Sequence, residues 1–316
     1  MIFFQNMYTI FVQVIILAIL VTVGFFGDRF GYFTEKAARL ANDLLFYVVT
    51  PCVIVNSFLT IDYSKDSAFD FITALCCAVA FHIAAMTVSF LLFNKGDKEK
   101  NIIYKYAVVY GNAGYMGLPL STAVMQIVAG NGALGAFYCS AFVAVFNLFA
   151  FTHGVWLMSG GKGFNKRKLI LNPGTISILI GVPLFLLGIK LPQLIATPVN
   201  HIASMNTPLA MIMFGTYLSK ADFKTVFKQA NMYITALIKL IVMPVLLILG
   251  FKLCGVNGNL LIVMSVGVSA PTANNTVMFS AKYNRDTSLA SQVTGFTSIL
   301  SVFTMPVCVA LAMLLA

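Results

Sequence analysis

An apolar segment long enough to cross a lipid bilayer, residues 102–129, is interrupted near its middle by Gly-Asn-Ala-Gly-Tyr-Met-Gly-Leu-Pro at 111–119. Three glycines and a proline within nine residues do not continue a straight helix. A second apolar segment, residues 257–282, contains Ser-Ala-Pro-Thr-Ala-Asn-Asn at 269–275. Lipid tolerates broken backbone only where protein buries it or where it lines a wet cavity. Two such interruptions in matching segments are typical of a secondary transporter's binding site.

The composition places the rest of the chain in the membrane as well. Hydrophobic residues make up 59% of the 316 residues and charged residues only 9%, whereas a soluble domain carries about 25% charged residues. Ten apolar segments of about 18–29 residues are each long enough to cross a core roughly 30 Å thick. They predict an all-α integral membrane protein with ten spans. In chain order the spans are 8–26, 37–59, 68–93, 102–129, 133–158, 172–189, 200–219, 229–251, 257–282 and 287–315.

The distribution of positive charge predicts the orientation. If the loops alternate between the two sides, sixteen of the twenty Lys and Arg residues fall on one side and three on the other, while Lys239 lies inside a span. Such a bias places the richer side in the cytoplasm. Both termini then lie outside, as an even number of spans requires. We therefore expect a multi-pass protein of the cell membrane, in a bacterium the cytoplasmic membrane. The distribution of the net charge of +10 reflects the orientation of the protein in the membrane, not nucleic-acid binding.

A short basic linker, residues 160–170, divides the chain into an N-terminal unit, 1–159, and a C-terminal unit, 171–316. Each unit contains five spans, and because five is odd, two similar halves are inverted relative to one another. The fourth span of each half carries an interruption. The third spans carry His82 and Lys239, the lone titratable groups at membrane depth. The pattern predicts two inverted five-helix repeats.

The breaks suit an anion. A helix that restarts leaves unpaired N–H groups and a partial positive charge at its first turn. Proline is favoured in that turn, because its missing N–H costs nothing there. We therefore expect Pro119 and Pro271 to begin the second half-helices. Inversion would direct both half-helix starts at the bilayer midplane, which predicts a site for a small carboxylate.

The predicted substrate-binding residues are those at the two breaks. An asparagine amide offers donors and an acceptor, so it either contacts the substrate or only caps the half-helix, and both alternatives remain open. The predicted set consists of Asn112, Gly114, Tyr115, Pro119, Pro271, Asn274, Asn275 and Thr276.

Three titratable residues are candidates for charge compensation or proton coupling. A lysine near the bilayer middle is costly, so Lys239 either balances a substrate's charge or pairs permanently with a carboxylate. His82 is either a proton relay or a hydrogen-bonded packing residue. Asp43, in the first turns of its span, is either a solvated residue or a proton site. Other polar residues within spans are interpreted as hydrogen-bonding between helices. They are Asn56, Asn147 and Gln292.

The sequence carries no pattern typical of an enzyme or of a metal site. The three histidines, His82, His153 and His201, form no His-Glu-x-x-His motif. The six cysteines all fall in apolar segments without metal-ligand spacing. We expect no cofactor, no metal and no catalytic residues.

Several stretches in order along the chain resemble the auxin efflux carrier family, which groups the plant PIN-FORMED proteins and bacterial malate or malonate permeases. Each stretch alone is short, and together they span nearly the whole chain. They are Leu-Phe-Tyr-Val-Val-Thr-Pro at 45–51, the interruption at 111–119, Asn-Pro at 172–173, Thr-Pro-Leu-Ala-Met-Ile-Met-Phe-Gly at 207–215, Lys-Leu-Ile-Val-Met-Pro at 239–244, Ser-Ala-Pro at 269–271 and Ala-Lys-Tyr at 281–283.

The resemblance implies a scaffold of spans 1, 2, 6 and 7 and a transport bundle of spans 3–5 and 8–10. It implies that the fourth and ninth spans cross at Pro119 and Pro271, that the bundle moves in an elevator-like manner, and that the protein forms a homodimer through the scaffold. Asn112 would correspond to the family's substrate-contacting asparagine. The short linker resembles that of a bacterial-type member.

The sequence therefore predicts a secondary transporter of a small organic anion, such as malate, malonate or an auxin-like acid. The direction of transport and the coupling ion, a proton, sodium or none, are left open. The alternative is a membrane sensor or scaffold of the same fold, which binds its ligand without moving it. Flux into liposomes separates the two, because binding alone produces no accumulation.

Overall fold

A computed structural model shows a protein built from helices. The described residues contain no β-strand, only one isolated bridge. Most of the first span, the linker beyond Gly161 and the basic loop around 220–229 lie outside the described residues. The described residues are 16, 19–33, 35–161, 173–219 and 230–316.

The helices are numbered α1 to α13, and a π-helical turn is counted with the helix that contains it. They are α1 (19–29), α2 (Glu35–Leu44, the π turn Leu45–Val49 and Thr50–Thr60), α3 (Lys65–Leu92), α4 (Lys98–Val109), α5 (the π turn Ala113–Gly117 and Leu118–Val128), α6 (Gly132–Phe149, the π turn Ala150–Gly154 and Val155–Met158), α7 (Pro173–Leu186), α8 (Gln193–Ser204), α9 (Asn206–Ser219), α10 (Ala230–Leu237, the π turn Ile238–Val242 and Met243–Leu253), α11 (Gly258–Ser269), α12 (Asn275–Lys282) and α13 (Thr287–Leu315).

Within the described part of the chain, four helices are long and apolar enough to cross a bilayer whole: α3, α6, α10 and α13. Four shorter apolar helical segments, in α2, α5, α7 and α11, add to them. This pattern supports an all-helical membrane protein. The count of ten spans stays a prediction, since it requires that α4 with α5 and α11 with α12 each form one span from two halves.

The predicted seventh span differs from the structure. The apolar segment 200–219 begins inside α8, and the helix is interrupted at Met205 before α9 begins at Asn206. No residue of α8 is buried. The predicted span combined the end of α8 with α9, because it was based on hydropathy alone.

Several helices begin where a side chain satisfies the free N–H groups of the first turn. Ser64 forms a capping box with Ser67 at α3. Asp97 caps α4 and accepts from two backbone N–H groups. Asp286 caps α13 and accepts from the N–H of Leu289. Such caps contribute about 1 kcal/mol each, and they fix where the helices leave the turns.

Both predicted interruptions break their helices. The first helix stops at Val109 and restarts at Ala113, with Asn112 as the N-cap. The second stops at Ser269 and restarts at Asn275.

The prediction that both prolines begin the second half-helices was wrong for Pro271, which lies between α11 and α12. Pro119 does lie in the first turn of the α-helical part of α5, Leu118–Val128, but the π turn Ala113–Gly117 precedes that part. Proline removes an N–H and its ring clashes with the carbonyl four residues earlier, and a wider turn accommodates both effects. Three of the four described π turns are followed by such an X-Pro pair, at Pro51, Pro119 and Pro244. These prolines therefore lie within continuing helices and do not end them.

One core joins the helices on either side of the candidate site. Phe58 of α2 packs against Phe137 of α6, with ring centroids 5.1 Å apart, and Phe137 packs equally closely against Phe185 of α7. Helix α11 lies at the centre: every residue from 260 to 269 is buried. A second core of buried side chains joins α4, α10 and α13.

Close contact between α5 and α6 depends on Gly135. A Cβ at this position would lie on the backbone carbonyl of Ser121. We expect Gly135→Ala to force the two helices apart and to lower the free energy of unfolding by about 1–3 kcal/mol, measured as a lower midpoint of thermal unfolding in detergent. Gly250→Ala is the matched control. A Cβ there meets nothing within 4 Å, so alanine should keep or raise stability, by up to about 1 kcal/mol. Equal midpoints for both variants would contradict the packing described.

Candidate functional site

The two broken helices meet backbone to backbone. The N–H of Asn112 donates to the carbonyl of Pro271 at 2.6 Å, and the N–H of Ala273 donates to the carbonyl of Tyr110 at 2.9 Å. The two interruptions therefore pair like a single step of antiparallel strand. This pairing satisfies backbone groups that neither lipid nor a helix would satisfy. The crossing lies at Pro271 on one side and at residues 110–112 on the other, seven residues before Pro119.

A threonine fastens the crossing to its surroundings. Thr272 is fully buried, and its hydroxyl donates to the carbonyl of Ala107 in α4 at 3.1 Å. Its N–H donates to the hydroxyl of Thr297 in α13 at 3.3 Å. The crossing is thus bonded to α4 and α13, and it does not hang freely in a cavity.

Asn112 stands where the first break ends. Its side-chain oxygen accepts from the N–H of Tyr115 at 3.3 Å, so it caps α5. The side chain is buried, and the cap uses the amide oxygen. Capping, one of the two alternatives for Asn112, is therefore observed, and contact with a substrate stays a prediction.

Five of the eight predicted substrate-binding residues line one cavity. It has a volume of about 40 Å³ and lies among α2, α5, α6, α7 and the segment before α12. A buried water needs about 10–15 Å³, so the cavity accommodates a few waters in this conformation. The five are Asn112, Gly114, Tyr115, Asn274 and Asn275.

Three predicted residues lie outside the cavity lining. Pro119 and Pro271 shape the backbone as described above. Thr276 is fully buried in the first turn of α12, and its hydroxyl has no hydrogen-bond partner among the described residues.

Sequence reasoning missed the wall opposite the break. Phe46 and Thr50 of α2 and Phe146 and Asn147 of α6 line the cavity. Phe46 stacks on Tyr115 with ring centroids 6.3 Å apart. Asn147 thus lines the cavity. The predicted hydrogen bond between helices is observed for Asn56, which donates to Asn200 across α2 and α8 at 3.4 Å. In α2 the available signal was the spacing of Phe46 and Thr50, which are four residues apart and therefore lie on one face of a helix.

Lys239 lies against the crossing. It is fully buried in the π turn of α10, and its Nζ is 4.8 Å from the ring centroid of Phe81. A Cβ built on Gly111 would lie 2.9 Å from this Nζ and 3.1 Å from the carbonyl oxygen of Ala270. The amine has no hydrogen-bond partner among the described residues. A permanent ion pair with a carboxylate, one of the two alternatives for Lys239, is not observed there.

The other two titratable candidates differ from Lys239. The Nδ1 of His82 lies 2.7 Å from the carbonyl of Ala78, and the ring stacks on Phe149 at 5.3 Å. This is the geometry of a packing residue, although its Nε2 has no partner in the part of the chain that the structure describes. Asp43 is exposed on α2 and does not line this cavity.

Alanine substitutions at two glycines of the first interruption should differ in their effect on stability. A Cβ at Gly111 collides with the lysine amine and a carbonyl, whereas a Cβ at Gly114 meets nothing within 4 Å. We expect Gly111→Ala to lower the free energy of unfolding by about 1–3 kcal/mol, and Gly114→Ala to leave it unchanged while narrowing the cavity. The midpoint of thermal unfolding in detergent checks both. If Gly111→Ala is as stable as Gly114→Ala, the contact between Lys239 and the crossing does not exist.

Comparison with known proteins identifies the family of the chain. The family model described as "Membrane transport protein" matches residues 9–165 and 161–309. The chain is 26% identical to the uncharacterized transporter MJ1031 of Methanocaldococcus jannaschii, over 91% of this chain and 94% of that protein. It is 23% identical to the uncharacterized transporter YfdV of Escherichia coli, over 88% of this chain and 91% of that protein. The relatives' names indicate a membrane transporter, and the chain belongs to the membrane transport protein family, the auxin efflux carrier family that its sequence resembles.

Proposed function

We propose that the protein is a secondary transporter that moves a small organic anion across the cell membrane and binds it at the crossing. The observation that carries the proposal is the amine of Lys239, fully buried against the crossing without a hydrogen-bond partner among the described residues. A buried charge without a partner is costly. A carboxylate that arrives and leaves would supply that partner without fixing the protein in one state.

The chemistry of the cavity favours a carboxylate. No Asp or Glu is among the residues that line it, and three of them are asparagines at the breaks, Asn112, Asn274 and Asn275. The N-terminal turn of α5 begins beside it, with the partial positive charge of a helix start. Malate, malonate and an auxin-like acid all carry the carboxylate that these groups would bind.

The size of the cavity supports a moving bundle. At about 40 Å³ it accepts water, so a larger solute requires its walls to separate. One wall comes from α2 and α7, and the other from α5, α6 and the break before α12. We propose that α1, α2 and α7–α9 form the scaffold and the remaining helices a bundle, which slides as in an elevator. Dimerisation through the scaffold and termini on the outer face belong to the same proposal.

Coupling remains open between a proton, sodium and no ion. Lys239 compensates the substrate's charge in each case. Within the described residues no group of three or more His, Cys, Asp or Glu side chains forms a cation site.

A substitution of Lys239 tests its role in the site. We expect Lys239→Met, a side chain of similar length without charge, to reduce flux of labelled organic acids into proteoliposomes at least about tenfold, a loss of about 1.4 kcal/mol in binding. Its thermal stability should be unchanged or higher, because a buried unpaired charge is removed. Lys252→Met is the control: Lys252 is partly exposed on the same helix, and its Nζ donates to the side-chain oxygen of Asn257 at 2.6 Å. Unchanged flux in Lys239→Met would remove Lys239 from the site.

The next prediction separates the two roles of Asn112. Serine caps helices about as well as asparagine, but it lacks the amide donors. We therefore expect Asn112→Ser to keep the stability of the wild-type protein and to lose flux several-fold. Asn112→Ala should lose both flux and about 1 kcal/mol of stability. If the serine variant transports normally, Asn112 serves only as a cap.

A sensor or scaffold of the same fold is the alternative to a transporter. A panel of organic acids screened by thermal shift identifies ligands, because a bound ligand raises the unfolding midpoint by mass action. Saturable binding without accumulation in liposomes would identify a sensor.

A further inference from the structure

Helix α3 carries an exposed stripe along most of its length. The exposed residues between 69 and 90 follow one another in steps of three or four, which places them on one side of the helix. All but one of them are apolar, and none is charged. In a protein that spans a membrane, such a face lies against lipid. The stripe consists of Phe69, Ile72, Cys76, Ala80, Ile83, Thr87 and Phe90.

The amine of a lysine lies on one end of this stripe. The Nζ of Lys105 in α4 is 5.1 Å from the ring centroid of Phe90, which is 63% exposed and lies two residues before the end of α3. Lys105 itself lies seven residues into α4, about 10 Å along the helix from Lys98. The half-buried side chain therefore extends from the apolar region toward the membrane surface, as lysines near the ends of membrane helices do.

Two lysines of α4 place their charge on the same side. Lys98 and Lys105 are seven residues apart, which is two helical turns. Neither ammonium has a hydrogen bond or an ion pair among the described residues. The carboxylates next to Lys98 in the sequence are engaged elsewhere, because Asp97 caps α4 and Glu99 pairs with Arg285. A partner for the two ammonium groups therefore comes from outside this part of the chain.

The chemistry of this groove, defined by Phe90, Lys98 and Lys105, matches an anionic phospholipid. Acyl chains cover the apolar stripe of α3, while a phosphate at the level of the helix end meets both ammonium groups. Lysines near the membrane surface attract anionic lipids in addition to the apolar contact that every lipid makes. Phosphatidylcholine offers the same chains, but the positive charge of its choline group opposes that of the lysines.

We propose that the α3–α4 groove binds the headgroup of an anionic phospholipid of the cytoplasmic leaflet. The charge asymmetry of the loops predicts that this end of α3 is cytoplasmic. Helix α4 ends at Val109, directly before the crossing, so the lipid is held by a helix that leads into the site. The proposal depends on the membrane location and the predicted orientation, not on Lys239 or on the identity of the solute.

Quenching of tryptophan fluorescence in bilayers tests the groove. Trp156, the only tryptophan, is replaced by phenylalanine, and Phe90→Trp then places a single reporter in the groove. The full-length protein is reconstituted in mixtures of phosphatidylcholine and phosphatidylglycerol, in which one lipid or the other carries brominated chains that quench on contact. The two quenching curves give the relative affinity of the lipids. Phe69→Trp is the matched control, because Phe69 is the same residue type at the opposite end of the stripe. Thermal unfolding midpoints verify that each variant is folded.

We expect phosphatidylglycerol to bind at position 90 about fivefold or more tightly than phosphatidylcholine, and the two lipids to bind equally at position 69. Lys105→Gln should reduce the preference at position 90 to about twofold or less, whereas Lys105→Arg, which keeps the charge, should retain it. Equal binding at position 90, the same preference at position 69, or a preference that survives Lys105→Gln would overturn the site. A reporter at position 90 that neither lipid quenches would show that protein covers the groove, and would overturn the proposal as well. Because no solute is present, absence of flux would refute the proposed function and leave this result standing.

Discussion

The backbone pairing of residues 110–112 with 271–273 is the constraint on which the rest of the site depends. In a membrane protein two helices cannot both break unless their freed N–H and carbonyl groups find partners. Here each break satisfies the other through the Asn112–Pro271 and Ala273–Tyr110 bonds. The pairing brings the N-cap of α5, the asparagines of both breaks and the buried Lys239 close to the crossing. Separating the two segments would leave four backbone groups unsatisfied and would dismantle the site.

Local chemistry explains why much of this could be predicted from the sequence. Clusters of glycine and proline disrupt a helix wherever they occur, so both breaks were located correctly. Because the two breaks pair, residues at both of them, including Asn112, Gly114 and Asn274, line one cavity, and their contact with a substrate stays a prediction. The family resemblance was confirmed by a match that covers nearly the whole chain.

The remainder depends on tertiary structure, which no local pattern records. Whether a half-helix restarts at a proline or one π turn earlier depends on the packing around it, and so the restart of α5 at Ala113 was not predicted. The faces that Phe46 and Asn147 present to the cavity follow from how α2 and α6 pack. The division of α8 from α9 at Met205 was missed, because the apolar residues of α9 raise the mean hydropathy of the whole segment 200–219. The inverted repeat and the ten spans remain predictions.

The buried amine of Lys239, which has no hydrogen-bond partner among the described residues, lies beside the crossing, and we assign its partner to the solute. The most direct test is a structure of the purified protein with a bound organic acid identified by thermal shift. We expect the carboxylate in the crossing cavity, within hydrogen-bonding distance of the Asn112 amide and on the side where Lys239 meets Gly111. A ligand bound elsewhere, with the crossing cavity unchanged and the Lys239 amine still buried without a partner, would contradict it.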